Sequence, residues 1–361
     1  MMQDSDMHKA IAKIREGLQC AGCEAFFSLS PPANEYLTGF HGSTSAVIIT
    51  GSLAQFLCDF RYTEQAKEQV QGYIVEEIQG TLETRVGERL QTLGITRTAF
   101  DPLTLTVFQK DTVQKAYPGL LIPLPDLLAD LRMTKTNEEI EKIRNASQTA
   151  EAALGKMLHH LTSGITEWEL AAHLEFEFKR AGAQKSAFDP IVLFGTRSSL
   201  PHGMPSNKEL SPGDIILIDC GCVVDGYCSD LTRTYVFGRI PGAWFEEIYQ
   251  VTRTAQEAAR QVIAADAVCR EVDAVARNII GEAGYGSYFG HGLGHGVGLE
   301  VHEPPRLNMQ SDTVLTAGMV VTAEPGIYLP GRGGVRIEDL LVVTENGCET
   351  LTRLPKELQV L

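Results

Sequence analysis

The sequence predicts an α+β protein in two parts, a smaller α/β unit over residues 1–131 and a larger unit over residues 132–361. Three observations predict this. The first third alternates short helix-like and strand-like runs, a strong helix-start signal opens a new unit at Thr136, and beyond it amphipathic helices are interrupted by glycine-rich, strand-like segments. A chain of 361 residues is long enough for two domains, and 43% hydrophobic with 21% charged residues is an ordinary globular composition.

Taken in order, Ile11, Ile14 and Leu18 sit at helical spacing, with Gly22 as a stop. Apolar runs at 25–29, 45–50, 55–60 and 73–78 read as strands, and the stretches 62–70 and 82–93 between and after them as helices. Cys20 and Cys23 form a single CxxC. No second pair follows at the spacing a zinc site needs, so they read as two thiols in a helix-to-strand turn. In the larger unit, Thr136 and Glu139 have capping-box spacing ahead of an apolar stripe from Ile140 to Leu161. Thr166 and Glu169 repeat the device for a helix running to Gly182. Two more helices are expected over 243–265 and 270–283, the latter stopped by Gly284.

Charge and sorting signals narrow the function. With 31 basic and 46 acidic side chains the formal net charge is −15, which argues against nucleic acid or an anionic membrane as the main partner. The polar, acidic start and apolar runs far too short to span a bilayer make cytoplasm the expected location, and eight cysteines are too few for a disulfide scaffold.

The chemistry concentrates in the larger unit. Ile215-Ile-Leu-Ile-Asp219-Cys-Gly-Cys and Cys228-Ser-Asp230-Leu-Thr-Arg-Thr are both strand-like, and Asp225-Gly226 between them is a two-residue hairpin turn. That turn pairs Val224 with Tyr227, so Asp219 faces Thr232 and Asp230 falls on the same face as Asp219, at about 7–8 Å between Cα atoms. A second hairpin is expected near the C-terminus. If its centre falls near Gly331, Glu324 lies opposite Glu338, and alternation puts Arg336 on the face of Glu338. Between the hairpins, Phe289-Gly-His291-Gly-Leu-Gly-His295-Gly-Val-Gly-Leu-Glu-Val-His302-Glu-Pro-Pro-Arg306 sets three histidines among glycines that let backbone approach closely. The segment does not match GxGxxG, position 306 rules out HExxH, and no GxSxG occurs anywhere. Like charges this close are costly unless a proton or cation compensates them. Four carboxylates with one neutral imidazole suit two divalent ions, which can lower the pKa of a shared water to about 7.

These motifs, together with Ser199-Leu-Pro-His202-Gly, Glu324-Pro-Gly-Ile-Tyr and Val335-Arg-Ile-Glu338-Asp, closely resemble the pita-bread metallopeptidases, in the branch of prolidase and aminopeptidase P. Tyr36-Leu-Thr-Gly-Phe and Asp59-Phe-Arg-Tyr-Thr-Glu resemble the creatinase-type N-terminal domain. The resemblance implies a pita-bread catalytic domain behind that smaller domain. It implies two divalent metal ions, Mn²⁺ first and Co²⁺, Zn²⁺ or Fe²⁺ as alternatives, held by Asp219, Asp230, His295, Glu324 and Glu338. It further implies hydrolysis of the peptide bond before proline by a metal-bridging hydroxide, proline-containing peptides as substrates, and a homodimer. His202, His291 and His302 would position the scissile carbonyl and stabilise the tetrahedral intermediate, Glu324 would shuttle the proton, and Arg336 would orient the Glu338 side. Cys220 departs from the bulky apolar residue usual in relatives, and alternation turns it away from the metals.

Two other activities fit the same outline: a methionine-aminopeptidase-like exopeptidase and a metal-free creatinase-like hydrolase. The first usually lacks both such an N-terminal domain and the His-Glu-Pro-Pro segment, and the second loses ligands that are all present here. An inactive binding module on the same fold is disfavoured by the intact ligands. Dipeptidase and aminopeptidase stay open. Arg306 stands where prolidases carry an arginine able to hold a free C-terminal carboxylate, and its alternative reading is a solvated loop arginine.

Overall fold

A computed structural model describes residues 4–361. The described residues divide into two compact units, one ending at Arg132 and the other running Met133–Leu361.

In the first unit six strands form one mixed sheet, in the order Ile74–Glu77, Ala54–Cys58, Ser45–Thr50, Ala25–Ser28, Arg97–Phe100 and Leu120–Pro123. The Ala54–Cys58, Ser45–Thr50 and Ala25–Ser28 strands pair antiparallel and the flanking pairs are parallel. Ser45–Thr50 and Ala25–Ser28 are buried along their whole length, which explains why their sequences are apolar runs without alternation. Sequence reasoning missed three helices, Pro31–Thr38, Val107–Ala116 and Asp126–Met133, and the last two strands of the sheet. Two of these helices carried a signal. Pro31 and Pro32 open the first, which closes on Gly39 at φ +69°, and Thr106 with Gln109 forms a complete capping box on the second. Cys20 ends the first helix, Gly22 takes φ +60°, and both thiols of the CxxC are free.

The second unit contains two helix pairs, each covering its own strands. Both expected capping boxes form, Thr136 with Glu139 and Thr166 with Glu169, and start the helices Asn137–Met157 and Glu167–Arg180. These bury Ala150, Leu154, Leu174 and Phe178 against Val192, Ile216, Ile218 and Cys220. The helices Ala243–Val262 and Cys269–Glu282 bury Phe245, Ile248, Ala276 and Ile280 against Val321, Ala323, Leu341 and Val343. Each Leu, Ile, Val or Phe side chain among them contributes about 1.5–3 kcal/mol of burial. No described helix is long and apolar enough to cross a membrane.

Two hairpins set the functional face. In the first, Asp225 and Gly226 both take positive φ, +48° and +81°, as a type I′ turn requires. Val224 pairs with Tyr227 and Asp219 with Thr232 in one unbroken register, although the ladder is interrupted at Gly221, where a side chain would strike the Ser229 carbonyl. In the second, Gly326–Leu329 pairs with Gly333–Arg336 about a turn containing Gly331 at φ +73°, and Val320–Ala323 pairs with Asp339–Thr344 in the same register. Glu324 and Glu338 fall at the break between these two ladders. The hairpins are stitched together: the Glu338 peptide N–H donates to Thr232 O at 3.2 Å and Thr234 Oγ1 donates to Arg336 O at 2.9 Å.

Alternation gives the stitched hairpins two faces. Opposite the carboxylate face, Arg233 Nη2 donates to Asp339 Oδ1 at 2.8 Å, while Lys356 Nζ and Gln256 Nε2 reach Asp339 Oδ2 at 2.6 and 3.0 Å. Thr352 Oγ1 adds a fourth donor at 3.0 Å. Arg233 and Asp339 are each about 1% exposed.

Candidate metal centre

Every candidate metal-ligating, catalytic and substrate-binding residue singled out from the sequence lines one cavity of about 450 Å³ in the second unit. Its floor is carboxylate. Asp230, His295 and Glu338 each offer one atom within 4.8 Å of the others, and all three residues are buried. Glu324 Oε1 lies 3.3 Å from His295 Nε2, and Asp230 Oδ2 lies 3.6 Å from the same nitrogen. The other ring nitrogen, Nδ1, faces Gly296 O at 3.1 Å. A carbonyl only accepts, so Nδ1 carries a proton, and Nε2 is the atom aimed at the carboxylates.

The electrostatics of this floor are unbalanced. Burial pushes the pKa of Asp230 well above the usual carboxylate range, and Glu338, Asp219 and Glu324 push it further. Glu338 is raised well above its ordinary value by burial and by Glu324 and Asp219. Asp219 is raised by burial, which outweighs the pull of Arg336. Glu324 alone is held low: burial acts against it, but contact with His295 and the fields of His291 and Arg336 prevail. Asp219 Oδ1 and Glu338 Oε1 are buried with no hydrogen-bond partner among the described residues. Carboxylates gathered round one imidazole nitrogen, with two orphaned carboxylate oxygens beside it, need a proton or a cation between them. All-oxygen donors with one imidazole are the chemistry of hard to borderline divalent ions, and these residues fit such ions.

Around the floor the structure gives three of these residues their specific partners. Arg336 does not orient Glu338 directly. Its Nη2 donates to Asp219 Oδ2 at 2.6 Å, and it reaches Glu338 only through Thr232, which accepts from Arg336 Nε at 3.1 Å and donates to Glu338 Oε2 at 2.7 Å. The reason is the stitching of the two hairpins, which brings the facing side chains of one onto the other. His291 does not offer a free ring nitrogen. Its Nδ1 donates to Gly292 O at 2.8 Å, so its Nε2 accepts from Tyr328 Oη at 2.9 Å, and Tyr328 Oη in turn accepts from Arg336 Nη1 at 2.8 Å. Arg306 is not on a loop: it lies on the strand Glu303–Leu307, directly opposite His295, with its side chain exposed. His202 and His302 have no ring-nitrogen hydrogen bond among the described residues and also line the cavity. The His302 ring stands edge-on to His295 at 4.4 Å between centroids; partial burial, then His295 and Arg306, lower its pKa to about 4, so it is neutral near pH 7. Cys220 is fully buried in the helix-side core, away from the cavity.

Sequence reasoning missed the residues that hold this ring in place. Tyr328 joins His291 to Arg336. On the Cys269–Glu282 helix, Asp273 is fully buried, pairs with Arg277 four residues on, and accepts from the Leu293 peptide N–H at 3.0 Å. Arg277 then donates to Phe289 O and His291 O at 3.1 and 2.8 Å, which fixes the glycine-rich loop. An Asp–Arg pair at i, i+4 on an otherwise apolar helix face was the available signal. Lys135 and Glu303 form a further buried pair at 3.2 Å, next to His302 in sequence.

Two stitched carboxylate hairpins around a histidine-lined cavity form a candidate metal centre. The chain belongs to metallopeptidase family M24, whose model matches residues 141–345; the Creatinase/Prolidase N-terminal domain matches residues 11–134. It is 39% identical to an Xaa-Pro dipeptidase of Pyrococcus furiosus, over 91% of this chain and 94% of that one. Among solved structures it resembles an Xaa-Pro dipeptidase from Bacillus anthracis, with a TM-score of 0.95 and 41% identity over 98% of this chain and 100% of that one. It also resembles an X-Pro aminopeptidase from Thermotoga maritima, with a TM-score of 0.89 and 36% identity over 96% and 100%. This chain is thus a peptidase of a family that works with divalent metal.

Proposed function

We propose that this peptidase cleaves the bond before proline, with Xaa-Pro dipeptides as its preferred substrates. Two divalent cations, Mn²⁺ first, would be held by Asp219, Asp230, His295, Glu324 and Glu338. The observation that carries this reading is the donor set itself: four carboxylates and one imidazole nitrogen lining one cavity, with orphaned oxygens on Asp219 and Glu338. The relatives named above supply the substrate class, since two are Xaa-Pro dipeptidases and one is an X-Pro aminopeptidase.

When bound, such ions lower the pKa of water and polarise a carbonyl. The chain's own side chains do the rest. Arg336 keeps Asp219 turned to the cavity and leaves one of its oxygens free. Glu324, the carboxylate whose pKa is held low, is suited to accept a proton from water and return it to the leaving proline nitrogen. His302 and His202, with ring nitrogens unengaged, are the groups able to donate to the scissile carbonyl as charge develops on it. His291 acts one step back, through Tyr328 and Arg336. Arg306, exposed at the cavity and opposite His295, can take the free carboxylate of a dipeptide, and this favours dipeptides over longer substrates. A homodimer in the cytoplasm completes the proposal; the free thiols of all eight cysteines accord with a reducing compartment.

The test is turnover of an Xaa-Pro dipeptide, an Xaa-Pro-Xaa tripeptide and a Met-Xaa dipeptide by chelator-stripped protein to which each metal is returned. Faster turnover of the Met-Xaa dipeptide would replace this reading with a methionine-aminopeptidase-like one. Full activity in protein shown to contain no metal would replace it with a creatinase-like one.

A further inference from the structure

His202 has no side-chain hydrogen bond among the described residues, so its place in the cavity is set by the backbone that carries it. That backbone, residues 194–206, starts at the last residue of the strand Ile191–Phe194, holds one 3₁₀ turn, Gly195–Ser199, and is otherwise irregular. Its first half is tied to the second hairpin: Gly334 N–H donates to Ser198 Oγ at 2.9 Å, and Arg336 Nη1 donates to Pro201 O at 3.2 Å. Its two ends converge elsewhere, on Glu167.

Glu167 is the first residue of the Glu167–Arg180 helix and is 0% exposed. Its Oε1 accepts from the Phe194 peptide N–H at 2.7 Å and from Arg197 Nε at 3.0 Å. Its Oε2 accepts from Arg197 Nε at 2.9 Å, from the Ser206 peptide N–H at 2.8 Å and from Ser206 Oγ at 2.6 Å. Arg197 then reaches forward, Nη2 to Met204 O at 2.6 Å. One carboxylate therefore holds both ends of the loop and, through Arg197, the residue two beyond His202. The neighbouring Trp168 peptide N–H adds a single bond to Ser206 O at 3.2 Å. A fully buried charge is a costly way to close a loop that apolar packing could close, and what it adds is a defined geometry for several donors at once.

We infer that Glu167, with Arg197 and Ser206, is a positioning residue that sets where His202 stands in the substrate cavity. The inference rests on His202 acting on substrate, as proposed above. Outer groups that orient an active-site side chain typically cost about 10–100-fold when removed. Glu167→Gln turns one oxygen into an amide N–H₂ that faces donors, so at least one end of the loop is released. The expected result is a fall in kcat of about 10–100-fold on an Xaa-Pro dipeptide, with KM changed by no more than about twofold. Metal content should equal that of the parent. In the His202→Ala background the same change should cost no more than about twofold, because its effect passes through His202.

The second readout does not use turnover. In histidine-labelled, chelator-stripped protein, Glu167→Gln should move or broaden the His202 ring resonance and leave that of His291 in place. Ser206→Ala, which removes one donor and keeps the carboxylate, serves the same purpose if Glu167→Gln does not fold; a smaller loss of the same kind is expected. An equal loss in the parent and His202→Ala backgrounds overturns the inference, as does parental kcat in both single variants. A His202→Ala enzyme with parental kinetics overturns it at its root, because the role proposed for His202 then fails first.

Discussion

Glu338 and Asp339 are neighbours in the chain and opposites in their surroundings. Both are buried carboxylates on the same hairpin. Asp339 accepts four hydrogen bonds, two of them from Arg233 and Lys356, and although burial acts to raise its pKa, those cations hold it low. Glu338 accepts from Thr232 and the cavity side leaves its other oxygen without a partner; burial and its carboxylate neighbours drive its pKa well up. A completed charge network holds a fold together, whereas an uncompleted one, kept in place by the same strands, is a place prepared for something else. The same contrast separates Arg233 from Thr232 one hairpin away.

The largest effect is expected on the carboxylate face. Glu338→Gln should lower turnover by more than the ~10–100-fold typical of groups one shell out, and at least one metal should be lost. In chelator-stripped protein the same variant should melt at an equal or higher temperature than the parent, because it removes one of four crowded carboxyl groups whose ionisation is penalised by burial and by its neighbours. Two bound metals and near-parental turnover, or a clear loss of stability in stripped protein, would contradict the contrast. On the opposite face, Asp339→Ala leaves Arg233 and Lys356 without their carboxylate and should cost about 3–5 kcal/mol in urea unfolding, with parental metal stoichiometry in the folded fraction. A cost below about 1 kcal/mol, the scale of an exposed pair, would show that network to be decorative.

A smaller effect belongs to the rim. Arg306→Ala should raise KM for an Xaa-Pro dipeptide more than for a tripeptide. The change in discrimination should be about 1.5 kcal/mol, at the low end for a charged hydrogen bond because the side chain is exposed. Equal effects on both substrates would falsify the carboxylate-clamp reading.

The smallest effect is one of pH, and here the two faces differ in sign. Asp230 and Glu338 have folded pKa values above their unfolded ones. Their contribution to the stability of stripped protein is fully present below the unfolded carboxylate pKa and is lost as pH rises through the raised values. Asp339 is lowered, so its contribution is present above the unfolded value and is lost as pH falls through the lowered one. A divalent ion restores what the carboxylate face loses on ionising. Added Mn²⁺ should therefore raise the melting temperature by a few degrees more at about pH 8 than at about pH 5.5. Equal shifts at both pH values would mean that the carboxylates are not the groups that take up the ion.

How much of this was legible in advance depended on sequence distance. The turn at Asp225-Gly226 and the hairpin centre at Gly331 are local signals, and from them Asp219 opposite Thr232 and Glu324 opposite Glu338 followed by counting. Both capping boxes were equally local. The partner of Arg336 was not, because Asp219 lies 117 positions away and the two meet only when the hairpins dock. Tyr328 as the link to His291, and Glu167 as the anchor of residues 194–206, were hidden for the same reason: each is an ordinary residue until a distant segment arrives. In the first unit the overlooked strands Arg97–Phe100 and Leu120–Pro123 are four residues each, and Leu120–Pro123 buries none of its residues fully, so neither carries a periodic pattern long enough to read.

The register of the second hairpin also limits how this chain can be edited. A residue added at the Gly331 bend only lengthens a loop. The same residue added within Gly326–Leu329 shifts one strand by a single place, and in a pleated ladder a single place exchanges the faces. Glu324 would then stand opposite Asp339 instead of Glu338, and the geometry that brings the two carboxylates together would be gone. Length variation among descendants of this gene should therefore gather at the bend and be scarce in the eight paired positions beside it.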